Sequence, residues 1–140
     1  MDIQIGTDRQ NHIRRYLDST YVAGGRDLPG LDCYGLVRLA RAELFGKPLL
    51  PSCPAAKPGA LKEITIACGD VSGTYGLNPS PRVPGAIATA WRGKLCVHVA
   101  LVVEADGRQW ILETDVGIGP CLTRPSKFEE RYTRVIYYAD

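Results

Sequence analysis

The sequence predicts an α+β domain, with helices first and an antiparallel sheet second. Three observations predict it. Apolar residues recur at helical spacing early in the chain, as Ile13, Tyr16 and Leu17 and again as Leu36, Val37, Ala40 and Leu44. After Gly85 the pattern changes to short β-type runs. Between two of these runs, Asp106-Gly107 is the residue pair of a tight hairpin turn. The 140 residues suit a single domain spanning residues 1–140, long enough to fold on its own core.

Thr7 is placed to cap a first helix over Asp8 to Leu17. Ser19 to Leu31 carries Gly24-Gly25, Pro29 and Gly30 and is expected as a loop. The second helix has the clearest signals. Asp32 is a good N-cap, Leu36, Val37, Ala40 and Leu44 make its apolar stripe, Arg38, Arg41 and Glu43 lie off that stripe, and Gly46 with Pro48 ends it. Pro48 to Pro58 is irregular, Leu61, Ile64, Thr65 and Cys68 fit a short third helix over Gly59 to Cys68, and Gly69 to Gly85 reads as loop. Strands are expected over Ala86 to Trp91, Cys96 to Glu104, Gln109 to Thr114, Cys121 to Arg124 and Thr133 to Tyr138. The second of these is apolar on both faces and so central. Ser126-x-x-Glu129 resembles a capping box for one helical turn.

Composition excludes several classes. No apolar stretch reaches membrane-span length, so no membrane span is expected. A net charge of +2 with dispersed Lys and Arg gives no case for nucleic acid. Met1 to Asp8 has neither the basic region nor the apolar core of a secretory signal, which implies synthesis in the cytoplasm. Five cysteines at 33, 53, 68, 96 and 121, no C-x-x-C and only two histidines argue against a structural zinc site, and the thiols are expected reduced.

Cys33 and His98 carry the chemistry. A thiol at a helix start feels the partial positive charge of unpaired N–H groups, which favours the thiolate. A histidine within reach holds that charge and moves the proton. Either residue alone reads as packing: a cysteine on an apolar helix face, a histidine between Val97 and Val99. The hairpin gives a geometric check. With a two-residue turn at Asp106-Gly107, Ala105 pairs with Arg108, and His98, Glu113 and Asp115 share one face of the sheet. Glu113 then lies diagonal to His98, roughly 7–8 Å away between Cα atoms and within side-chain reach. Asp115 lies directly across from it. A three-residue loop would bring Thr114 there instead, so the third residue stays open among Glu113, Asp115 and Thr114. His12 reads as a solvated helix residue, Trp91 and Trp110 as packing.

At these residues the chain resembles the NlpC-type cell-wall peptidases, papain-like cysteine hydrolases of bacteria and phages. The matching pieces are Tyr21, Gly24-Gly25, Gly30-Leu31-Asp32-Cys33-Tyr34-Gly35-Leu36-Val37, Pro84-Gly85, His98-Val99-Ala100-Leu101 and Glu113, in the family's order. Three positions depart from the family pattern: Tyr34 stands for the common Ser, Ala86 for the Asp of Pro-Gly-Asp, and Glu113 for the usual His, Asn or Gln. The resemblance implies a papain-like fold and a cysteine endopeptidase with Cys33, His98 and Glu113 as catalytic residues. It implies Tyr21, Asp32 and Tyr34 at the substrate, no cofactor and no metal. The implied substrate is the peptide stem of peptidoglycan, cut next to a D-glutamyl residue. The implied setting is a phage or prophage tail tip, with other tail proteins as candidate partners. Two alternatives accompany it: a tail component that keeps the fold without activity, and an amidase or acyltransferase using the same Cys-His pair.

Overall fold

The computed structural model of the chain describes residues 12–140. Thr7 and the first part of the expected first helix lie outside the described residues. Residues 12–17 are helical (α1), with Ile13 and Tyr16 buried and His12 exposed. The Tyr16 hydroxyl donates to Glu43 Oε1 at 2.5 Å and ties α1 to the second helix.

The glycine-rich loop that follows is ordered by three two-residue strands, β1 (Thr20–Tyr21), β2 (Arg26–Asp27) and β3 (Gly30–Leu31). β3 lies in the middle, parallel to β1 and antiparallel to β2. Its end feeds straight into helix α2 (Cys33–Phe45), whose N-cap is Asp32. Asp32 Oδ1 accepts from the Gly35 N–H at 2.8 Å, closing the first turn. At the other end Gly46 takes the left-handed conformation that terminates the helix, and its N–H donates to the Ala42 carbonyl.

The loop and the helix start approach so closely that side chains are excluded between them. A Cβ on Gly35 would sit 2.1 Å from the Gly25 carbonyl oxygen, and one on Gly25 would sit 2.3 Å from the Gly30 carbonyl oxygen. Backbone cannot yield at such distances without moving the loop. Gly35→Ala therefore lowers the unfolding free energy by about 2–3 kcal/mol, as overpacking does. Urea unfolding measures this, and an unchanged midpoint would contradict it.

Arg41, off the apolar stripe, is nonetheless buried; it is 2% exposed. Segment 47–50 folds back over this side of the helix, so that Arg38 Nε donates to the Leu50 carbonyl at 2.7 Å. Arg41 Nη1 points at the Pro48 carbonyl at 3.5 Å, and its Nε has no partner. Burial lowers its pKa, opposed by the charge of Asp140.

Helix α3 covers Leu61–Thr74, six residues beyond the expected end at Cys68. Val71 extends the stripe of Ile64 and Cys68 past Gly69, and Gly73 falls near the helix end. The stretch expected as loop also holds β4 (Asn78–Ser80), an edge strand, the position where Pro79 is admissible.

The main sheet comprises β4, β5 (Ile87–Arg92), β6 (Leu95–Ala105), β7 (Arg108–Glu113), β8 (Cys121–Thr123) and β9 (Arg134–Ala139). Its strand order is β4-β9-β5-β6-β7-β8, with antiparallel pairing throughout. β6 is central, as its two-sided apolar sequence predicts. The hairpin register is the two-residue one: Ala105 pairs with Arg108 and Leu101 with Leu112. Asp106 and Gly107 both have positive φ, as the tight turn requires.

Alternation along β6 divides the core. Val99, Leu101 and Val103 pack with Leu36, Val37 and Leu44 of α2. Ala100 and Val102 face the other way, with Ala88, Ala90 and Phe128. Phe128 belongs to α4 (Pro125–Glu130). The expected capping box there is not formed: Pro125 starts the helix early, Arg124 takes the N-cap position, and no side chain caps it. Among the described residues no helix is long and apolar enough to cross a membrane.

Candidate active site

β6 and β7 part company where the site forms. Their pairing runs from the turn to Leu101–Leu112 and stops. The half of β6 that carries His98 pairs only with β5, across a register shift between Ala90 and Trp91. Glu113, one residue beyond the last β6–β7 pair, leans back to reach the imidazole: His98 Nε2 and Glu113 Oε1 are 3.0 Å apart. His98 is 3% exposed, its ring stacked against Tyr132 at 6.2 Å and tilted against Phe128 at 5.9 Å.

Cys33, the first residue of α2, is half-buried and close enough to the imidazole for its thiol to act on the ring's pKa. With Nε2 committed to Glu113, Nδ1 is the nitrogen left for the sulfur. The helix start and two strands therefore bring Cys33, His98 and Glu113 together. Burial acts to lower the His98 pKa. The hydrogen bonds to Cys33 and Glu113 and the charges of both outweigh it, and the pKa rises to about 10.

Glu113 is 3% exposed and has two more partners. Thr123, on β8, donates its hydroxyl to Oε2. Arg131, just after α4, donates from Nη2 to Oε1 at 2.6 Å. Burial raises the carboxyl pKa, but the bonds from His98, Thr123 and Arg131 bring it down to about 2. Of the three residues open from the sequence, Glu113 is the one bonded to His98. The Thr114 hydroxyl is buried without a partner, and Asp115 Oδ1 accepts the Val116 N–H at 2.8 Å.

The three residues expected at the substrate stand differently. Tyr21 lies near enough to feel Cys33, Asp32 and Asp115; burial first, then their charges, push its pKa up to about 12. Asp32 is 1% exposed. Its Oδ1 accepts from Gly35 and from Arg26 Nη1 at 2.6 Å, and its Oδ2 accepts from the Gly24 N–H at 3.0 Å. It thus fixes the loop and the helix that present the thiol. The Tyr34 hydroxyl donates to the Pro51 carbonyl at 2.6 Å, and the Arg26 guanidinium lies over the Tyr34 ring at 5.1 Å.

Arg26 and Arg131 were not picked out from the sequence. Besides Asp32, Arg26 donates to the carbonyls of Ser52, Cys53 and Ala56, and so ties the Pro-rich segment to the nucleophile's loop. Nothing marks either arginine in the sequence, because each acts on partners far away along the chain. Arg26 follows Gly24-Gly25 directly, which is the one local hint.

An apolar cavity adjoins Cys33, between α2, α3 and the sheet, with Val37, Ile64, Ala67, Val99 and Tyr138 in its wall. Among the described residues no group of three or more His, Cys, Asp or Glu is placed to hold a metal ion. No family model matches the chain, and no curated protein matches its sequence.

Proposed function

We propose that this chain is a cysteine hydrolase that cleaves amide bonds by acyl transfer, with Cys33 as nucleophile. The observation that carries the proposal is His98 hydrogen-bonded to a buried carboxylate and close enough to a helix-start thiol for that thiol to act on its pKa. Cys33 and His98 act as a thiolate–imidazolium pair. The sulfur attacks the carbonyl carbon, and the C–N bond breaks as His98 protonates the leaving amine. Glu113 fixes the ring orientation and stabilises its positive charge. Of the first N–H groups of α2, Gly35's is held by Asp32, while those of Cys33 and Tyr34 have no acceptor within the helix and are available to the oxyanion. Water then adds to the thioester, His98 taking its proton, and the thiol is released.

For the substrate we propose the peptide stem of peptidoglycan, cut next to D-glutamyl, with the protein delivered by a phage or prophage tail. The resemblance at Asp32-Cys33-Tyr34-Gly35-Leu36 and His98 supports this. Tyr21 stands at the substrate side of the nucleophile in this reading; Asp32 and Tyr34 act through the loops they hold. A second reading, hydrolysis or transfer at another amide or ester, is favoured by the apolar cavity beside Cys33.

Digestion of several purified peptidoglycan types, read by mass spectrometry, tests the proposal. Wild type is expected to release stem fragments, and Cys33→Ala none. Release of other acyl products by wild type alone points to the second reading. Absence of any product with either protein, together with equal alkylation rates for all five thiols, leaves a structural tail component as the better account.

A further inference from the structure

The cavity beside Cys33 has a chemical character of its own. No residue lining it carries a charge. Among its polar atoms, the Thr89 hydroxyl donates to the Ile136 carbonyl at 2.7 Å and accepts from Trp91 Nε1 at 2.9 Å, and the Tyr34 hydroxyl is held by Pro51; Ser72, Tyr138 and the thiols of Cys33 and Cys68 add a few more to an otherwise apolar wall. A cavity with a mostly apolar wall favours apolar guests. A charged or amide group placed there would lose its hydration with little compensation.

Its size bounds the guest. The cavity volume is about 50 Å³, roughly three to five times what a single water needs on the same kind of measure. That is room for a short run of carbons, not for a long chain. Its roof is tied down, since Arg26 holds the carbonyls of Ser52, Cys53 and Ala56 while Ala56 itself lines the space.

What distinguishes this cavity from a packing gap is that the nucleophile forms part of its wall. The group that becomes joined to the Cys33 sulfur is the acyl group, and a segment beginning one or two bonds from the attacked carbonyl is the part that reaches the space. We infer that the cavity is an acyl-side specificity pocket, taking an unbranched apolar segment of about three to four carbons attached to the carbonyl that Cys33 attacks. This rests on Cys33 being the nucleophile, and it adds what lies on one side of the bond.

A series of p-nitrophenyl esters tests it, because the leaving group is constant and only the acyl side changes. Cys33 displaces p-nitrophenolate as the C–S bond forms and the ester C–O bond breaks; water then releases the carboxylic acid. Each methylene taken from water into an apolar site is worth about three- to fourfold. Butanoate is therefore expected to exceed acetate roughly tenfold in kcat/KM, with octanoate gaining nothing further. Ala67→Leu, which fills the cavity from α3, is expected to bring the butanoate-to-acetate ratio near one. Ile64→Ala, which enlarges it, is expected to shift the optimum to longer chains. A ratio near one in wild type, with turnover that still requires Cys33, would overturn the pocket and leave the hydrolase reading standing. Turnover no greater than that of Cys33→Ala for every ester would overturn both.

Discussion

Replacing His98 with alanine is expected to lower the turnover that depends on Cys33 by roughly 10⁴-fold. His98 is asked to do two things at once. It balances the charge on the sulfur before attack, and it delivers a proton to the leaving group afterwards. Alanine does neither, and no other described histidine than the exposed His12 exists to replace it. The variant remains foldable, because Glu113 keeps its bonds to Thr123 and Arg131. Single-turnover rates, with circular dichroism as the check on folding, measure the effect. A loss below tenfold would show that the imidazole does not serve the thiol. In wild type the leaving-group proton sits on a group whose pKa is raised to about 10. Activity should accordingly decline as pH rises through that value. The stabilising effect of His98 runs the same way: it is fully present below its ordinary value near 6.5 and is lost as pH rises through about 10.

Glu113→Ala is expected to cost about 3 kcal/mol of folding stability, as well as activity. Its carboxylate is the shared acceptor of His98, Thr123 and Arg131 in a site almost closed to water. Removing it strands a buried imidazolium beside Arg131. The arginine recovers part of its hydration, since 38% of its side chain is exposed; His98, at 3%, does not. Glu113→Gln keeps an oxygen for Nε2 and is expected to lose less of both activity and stability. The pH dependence distinguishes these variants. A carboxylate whose pKa falls from 4.5 to about 2 on folding contributes stability present above 4.5 and lost as pH falls through 2. Wild type should therefore weaken across that interval, and Glu113→Gln should weaken less. Urea unfolding at a series of pH values reads both effects, and superimposable curves would refute the role given to Glu113.

Much of this was visible in the chain. Asp32 before an apolar stripe marks the start of α2, and Gly46 its end, because capping is a local matter of one side chain or one φ angle. The Asp106-Gly107 turn fixes the register of β6 on β7, and with it the shared face of His98 and Glu113. Other features were not visible. Arg41 lies off the apolar stripe, yet segment 47–50 covers it. The six added residues of α3 hang on Val71, whose burial depends on what packs against it. Arg131 sits between two ordinary surface patterns, and its partner Glu113 is 18 residues away.

The sequence by itself determined where the thiol stands: at the first residue of a helix, beneath an aspartate cap, after glycines that let the loop come within touching distance. Those are properties of neighbouring residues, and local backbone physics decides them. The tertiary structure alone decided what the thiol meets. The packing of β7 on β6 brought Glu113 onto His98, Thr123 and Arg131 closed around the carboxylate, and α3 with the Pro-rich segment walled an apolar space beside the sulfur. Contacts of that kind join elements distant along the chain, and they exist only once packing has set where each element lies.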